Sequence, residues 1–297
     1  MENTHILSLH QVSKHYGPIQ ALKEVSFDVP AGSVFGVLGP NGSGKTTLLG
    51  IVMDVLKANA GSFKWFGQEP HADLRKRIGT LLETPNFYHY YSGMRNLQIS
   101  AQIKGRGQDD IERVLRLAGL WERRDSKFST FSLGMKQRLA IASALLGKPE
   151  VLLLDEPTNG LDPAGIAEIR DLIRQLGEQG TTVIMASHLL DEVEKVCTHV
   201  AILKKGVLLT AGHVDEVLSN EDMIEISAAD LAQLENVLNA LPNIKSIRRH
   251  NGSFQIVFSG SQSAEQVNRH CFEQGVTLNY LAVRRKSLEA RFIELTN

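Results

Sequence analysis

One stretch constrains this chain more than any other: Gly39-Pro40-Asn41-Gly42-Ser43-Gly44-Lys45-Thr46-Thr47. It satisfies G-x-x-x-x-G-K-[ST] at every fixed position, the spacing of a phosphate-binding loop. Glycines let the backbone curl until successive N–H groups point inward and form an anion nest. Lys45 is then placed to reach the β- and γ-phosphates of a nucleoside triphosphate, and the Thr46 hydroxyl to ligate Mg²⁺. The flanks supply the context this motif requires. Val34-Phe35-Gly36-Val37-Leu38 reads as a short buried strand. Leu48, Leu49, Ile51, Val52, Val55 and Leu56 read as the apolar positions of a helix whose N-terminus faces the phosphates. A strand, a loop and a helix in that order predict an α/β nucleotide-binding core.

The whole chain is consistent with a globular protein of one large domain or a large and a small one. It has 297 residues, a formal net charge of −1 and a hydrophobic fraction of 42%. Without a basic surplus, no nucleic-acid partner is expected. Cys197 and Cys271 lie far apart in apolar helical patterns and read as buried thiols in a reducing compartment. Residues 1–11 carry no apolar signal core. The longest weakly polar run, 139–147, falls far short of a membrane span, so a membrane role needs a partner that supplies the spans.

Taken in order, the first thirty residues read as antiparallel β structure, with strands over Ile6–Val12 and Val25–Val29 before Pro30 and Gly32. Tyr16 between them fits either a stacking platform for a base or an ordinary half-buried strand residue. Gly61–Gly67 and Ile78–Leu82 read as further strands, the second ending on Glu83, and Arg75–Arg77 as a solvated basic face. Asn86–Gly93 reads as an aromatic-rich loop, and from there to Gly147 the spacing turns helical, as at Ile111, Val114, Leu115 and Ala118, which predicts a lobe apart from the core.

Val151-Leu152-Leu153-Leu154-Asp155-Glu156 is the second chemical centre, four apolar residues running into two acids. If the strand continues through the pair, the acids face opposite ways: Asp155 toward Mg²⁺, Glu156 free to polarise water. Asp162-Pro163 opens a helix with a good N-cap and a proline at the first helical position. A strand over Thr181–Ala186 ends beside His188, which is either structural or aimed at the site. Val200–Leu203, Lys204-Lys205-Gly206 and Val207–Leu209 read as a closing hairpin.

Together, roughly over residues 5–220, these motifs resemble the ATP-binding subunit of an ATP-binding cassette (ABC) transporter. Phe131-Ser132-Leu133-Gly134-Met135-Lys136-Gln137-Arg138 matches that family's signature at Ser132, Gly134, Gln137 and Arg138, and departs from it at Leu133 and Met135. The resemblance implies Tyr16 as the adenine-stacking residue, His188 as a switch histidine and Glu156 as the base. It implies Thr46, Glu83 and Asp155 around Mg²⁺, with Glu83 where most members have glutamine, as in some bacitracin-resistance and lantibiotic-immunity exporters. Ser132 caps a helix and makes an anion site. The resemblance implies that this site closes on ATP held by a second copy, with Asp162 at the seam. The expected partners are that copy and a polytopic transmembrane permease, with the chain cytoplasmic and peripheral on the inner face of the plasma membrane. The rival class is a soluble ABC ATPase acting on nucleic acid or ribosomes.

The tail reads as a separate unit. Ile224–Ile226, a helix through Leu231–Leu241, strands at Ile244–Arg249 and Phe254–Phe258 around Asn251-Gly252, a helix with Val267 and Phe272, and Leu278–Val283 give β-α-β-β-α-β. The expected fold is therefore α/β. It combines a phosphate-loop ATPase core (1–222) that carries an antiparallel β subdomain and a helical lobe (about 87–147) with a small C-terminal α+β ferredoxin-like domain (223–297). Residues Ser287–Phe292 resemble the terminus of ABC-2-type exporter subunits.

Overall fold

The computed structural model describes residues 5–82, 85–218, 223–258, 263–284 and 288–296. The expected roles of Glu83 and Ser287 therefore lie outside the described residues. The chain divides into two compact units, Met1–Val214 and Asp215–Asn297.

In the first unit, β1 (His5–Tyr16) and β2 (Ile19–Pro30) form a hairpin, and β3 (Val34–Leu38) leads into the glycine loop and α1 (Lys45–Val52). Next come β4 (Ala60–Trp65), α2 (Ala72–Lys76) and β5 (Ile78–Leu81), then the helical lobe α3 (Gly93–Lys104), α4 (Ile111–Leu117) and α5 (Leu133–Leu145). The unit closes with β6 (Val151–Asp155), α6 (Pro163–Glu178), β7 (Thr182–Ser187), α7 (Leu190–Glu194), β8 (His199–Lys204) and β9 (Val207–His213).

Two sheets result. The smaller has the antiparallel order β2-β1-β4; the larger runs β5-β6-β7-β3-β8-β9, parallel except for its last strand. Strands buried on both faces are nearly continuous apolar runs, and β3, β6 and β7 are buried at every residue, with polar side chains only at Asp155, Thr182 and Ser187. Phe27 of the small sheet stacks on Phe35 of the large one, centroids 5.3 Å apart. The phosphate loop follows β3 and the acid pair straddles the end of β6, with β7 between the two strands. The parallel topology thus gathers both motifs at the carboxyl ends of neighbouring strands.

Two local expectations are corrected. The apolar spacing through Leu56 predicts a longer first helix, but α1 stops at Val52. Asp54 turns left-handed at φ +60, Val55 is exposed, and Leu56 folds back against Gly50. Arg77 is not simply solvated: it pairs in two-pronged fashion with Glu150, at 2.5 and 2.7 Å, and stacks on Phe66.

In the second unit, after α8 (Val214–Leu218) at the junction, the chain runs β10 (Met223–Ala228), α9 (Leu231–Asn239), β11 (Ile244–His250), β12 (Ser253–Phe258), α10 (Ala264–Glu273), β13 (Leu278–Arg284) and α11 (Leu288–Thr296). Its four strands form one antiparallel sheet in the order β11-β12-β10-β13. Ile224, Ile226, Phe254, Ile256, Leu234 and Val267 fill its core. Val267 and Cys271 lie on the buried face of α10, while Phe272 is 73% exposed. Both cysteines are buried and free, as the composition predicts. Among the described residues, no helix is long and apolar enough to cross a membrane.

Candidate nucleotide site

The loop is tight where glycine is needed. Gly39 has φ +154 and Gly44 φ +107. A Cβ on Gly39 would lie 2.3 Å from the Leu203 carbonyl oxygen, and one on Gly44 2.6 Å from that of Ala21. Held between β8 and β2, the loop wraps Lys45, which is only 5% exposed. Its ammonium donates to the carbonyl oxygens of Gly39 (2.8 Å) and Pro40 (3.3 Å). A buried ammonium needs such partners, because removing it from water unpaired is strongly unfavourable.

The acids leave β6 differently from the expected alternation. Asp155 is the last strand residue, buried beside Ala186 of β7. Glu156 is not on the strand: it turns left-handed at φ +47 while its N–H donates to the Ala186 carbonyl at 3.0 Å. That turn, rather than strand pleating, aims its carboxylate. One oxygen lies 3.3 Å from Lys45 Nζ and the other 2.8 Å from Nδ1 of His188, just past β7. A carboxylate only accepts, so Nδ1 of His188 carries the proton of that bond.

A cavity of about 540 Å³ opens over these groups, lined among others by Tyr16, Ile19, Lys23, the loop from Asn41 to Thr47, Glu156 and Lys205. Tyr16, at the end of β1, is 46% exposed, and the Lys14 ammonium sits 5.3 Å from its ring centroid. The fold therefore brings Tyr16, the loop and Glu156 to one cavity, with His188 behind Glu156. Ile19, Lys23 and Lys205 line the cavity outside every motif read from the sequence. Ile19 has a signal, its closeness to Tyr16 across a two-residue turn; Lys205 has none.

Ser132, Gly134 and Asp162 do not join this cavity. They form a separate surface where two helices start side by side. Ser132 Oγ accepts the Met135 N–H (3.2 Å), and Asp162 Oδ1 accepts the Gly165 N–H (2.9 Å). A Cβ on Gly134 would touch Gly165 at 3.9 Å. Leu133, 47% exposed, leans toward Gly160. The far end of α5 is braced. Lys104 donates to the carbonyls of Ser143 (2.5 Å) and Ala144 (3.3 Å), and burial with the nearby Arg106 charge pulls its pKa down to about 8. Burial of Asp110 acts to raise its pKa, but bonds from Arg113 and the Gly147 N–H outweigh it and hold the carboxyl below its ordinary value.

With this geometry in hand, the relatives are decisive. The ABC transporter family profile matches residues 22–159. An uncharacterized ABC transporter ATP-binding protein, YhcH of Bacillus subtilis, is 38% identical over 98% of this chain and 96% of its own length. The chain belongs to the ABC transporter ATP-binding proteins.

Within that family it is also 32% identical, over 98% of its length and 96% of the relative's, to the bacitracin transport ATP-binding protein BcrA of Enterococcus faecalis. Among solved structures, cbiO1 of Clostridium perfringens, part of the ABC transporter complex cbiONQ, superposes with a TM-score of 0.67. It shares 28% identity, covering 81% of this chain and 97% of that one. As an ABC ATP-binding protein the chain is an ATPase with an α/β phosphate-loop core.

Proposed function

We propose that the chain is the ATP-binding and hydrolysing motor subunit of a membrane exporter, dimerising around two ATP molecules to drive a separate transmembrane permease. The observation that carries this reading is Glu156, a carboxylate held between the loop lysine and His188 at the edge of a nucleotide-sized cavity. In that position it acts as the base for the attacking water, with His188 fixing its orientation. Tyr16 offers its ring face to adenine, and Gly39 to Thr47 cradle the phosphates.

Mg²⁺ suits the donors present. Asp155 is a buried carboxylate at the strand end and Thr46 a hydroxyl on the first turn of α1, both hard oxygen ligands, and Glu83 would add a third. Bound there, the ion neutralises charge developing on the phosphates.

Two features support the partners. Ser132, Gly134 and Asp162 lie at the starts of α5 and α6 outside the cavity of their own chain, which suits an anion site completed by a second copy. On the helical lobe, a groove of about 330 Å³ is lined by Phe87, Tyr88, Asn96, Ile99 and Ile103, with Ile103 80% exposed. That groove, apolar at Phe87, Ile99 and Ile103 and polar at Asn86, Asn96 and Ser100, suits a segment of the permease, which would place the chain on the inner face of the plasma membrane. The bacitracin transport relative favours export over the nucleic-acid alternative. The β-α-β-β-α-β order of the C-terminal unit and its sheet order β11-β12-β10-β13 support reading it, from about residue 223, as a small ferredoxin-like accessory domain.

The test is nucleotide titration of Lys45→Ala. The variant is expected to lose ATP binding and turnover, and unchanged affinity and rate would refute the assignment of this cavity.

A further inference from the structure

The turn between β8 and β9 reaches the nucleotide cavity from outside the loop and acid motifs. Leu203 pairs with Leu208 and Lys204 with Val207, so Lys205 and Gly206 are its two central residues. Their φ values are +49 and +78, the type I′ hairpin geometry in which Asn-Gly is the favoured pair. A lysine there accepts a left-handed backbone that disfavours a side chain with a Cβ. Its exposed side chain gains no burial in return. Conformations of this kind gather at functional sites.

The turn is anchored. The Gly206 N–H donates to the Ser43 carbonyl of the phosphate loop at 3.0 Å, and the Gly206 carbonyl accepts the Lys23 N–H at 2.8 Å. A Cβ on Gly206 would come within 2.6 Å of the Ala21 carbonyl oxygen, so the turn sits flush against β2. Lys205 therefore lines the cavity from a fixed base, together with Lys23, Lys45 and Glu156. The Lys45 ammonium is already engaged by two carbonyls and Glu156.

We propose that Lys205 is a nucleotide-binding residue whose ammonium meets the polyphosphate of the bound nucleoside triphosphate. This rests on reading the cavity as the ATP site. A cation on a preformed turn at the mouth of a concave site adds to the field that draws in and holds a polyanion.

The experiment titrates fluorescent ATP and ADP analogues into the full chain carrying Lys205→Gly or Lys205→Arg, at about 50 mM and about 500 mM salt. Glycine suits the turn and removes the charged side chain, while arginine keeps the charge. Lys205→Gly is expected to weaken both nucleotides by roughly three- to tenfold at low salt. Lys205→Arg should stay within about twofold of wild type. The deficit of the glycine variant should shrink at high salt, where exposed charges are screened within a few ångströms. The proposal is overturned if Lys205→Gly binds like wild type at low salt, if its deficit is the same at both salts, or if the arginine variant is as weak as the glycine one. A wild-type chain that binds neither nucleotide would overturn the ATP reading itself, and this proposal with it.

Discussion

Replacing Glu156 by glutamine exchanges one oxygen for an NH₂ group and preserves volume and backbone. Two donors now converge on the carboxylate: Lys45 Nζ at 3.3 Å and the Nδ1–H of His188 at 2.8 Å. An amide has a single acceptor oxygen, so only one of these contacts survives. The loss of one charge-assisted bond costs about 1.5–3 kcal/mol, a drop in melting temperature of a few degrees for a unit of this size. Lys45 retains the Gly39 and Pro40 carbonyls, so the loop keeps its shape and ATP binding persists. Hydrolysis suffers far more, because the amide accepts no proton. The expected fall is roughly 10²–10⁴, which is about 2.7–5.4 kcal/mol on the barrier. Single-turnover phosphate release with Mg²⁺ and saturating ATP reads the chemical step, and a parallel titration reads binding. A variant that turns over within about threefold of wild type would refute the assignment of Glu156 as the base. One that no longer binds ATP would show that the carboxylate holds the loop together.

Two more substitutions probe the scaffold. Gly39→Ala puts a Cβ 2.3 Å from the Leu203 oxygen and 2.6 Å from Ser43 Oγ, so it should lower stability by more than about 2 kcal/mol and weaken ATP binding, as thermal melting and titration would show. Lys104 has a folded-state pKa of about 8, below its unfolded value of roughly 10.4. Between those values the unfolded chain binds more protons, so stability should rise with pH from about 8 to about 10. In urea unfolding at about pH 7.5 and 9.5, Lys104→Met should show a smaller rise than wild type, and equal rises would contradict the burial argument.

Much of this was legible in the sequence because the relevant physics is local. The phosphate loop needs its glycines in fixed order, Ser132 and Asp162 are good caps, and strands buried on both faces are nearly continuous apolar runs. The failures are equally local in cause. The end of α1 depends on Asp54 turning left-handed, and the aim of Glu156 on the same conformation, which a non-glycine residue does not announce. Lys205 reaches the site only because β8 is the neighbour of β3, a pairing that sequence order does not reveal.

In the proposed dimer the site is shared between two copies, with Ser132, Gly134 and Asp162 of one chain closing on nucleotide held by the other. The most direct measurement is the molar mass of Glu156→Gln by light scattering, with and without saturating ATP and Mg²⁺. The account predicts that ATP doubles the mass and that adding Ser132→Arg abolishes the doubling while leaving nucleotide binding intact. A mass that stays monomeric with ATP demonstrably bound, or a dimer indifferent to Ser132, would contradict it.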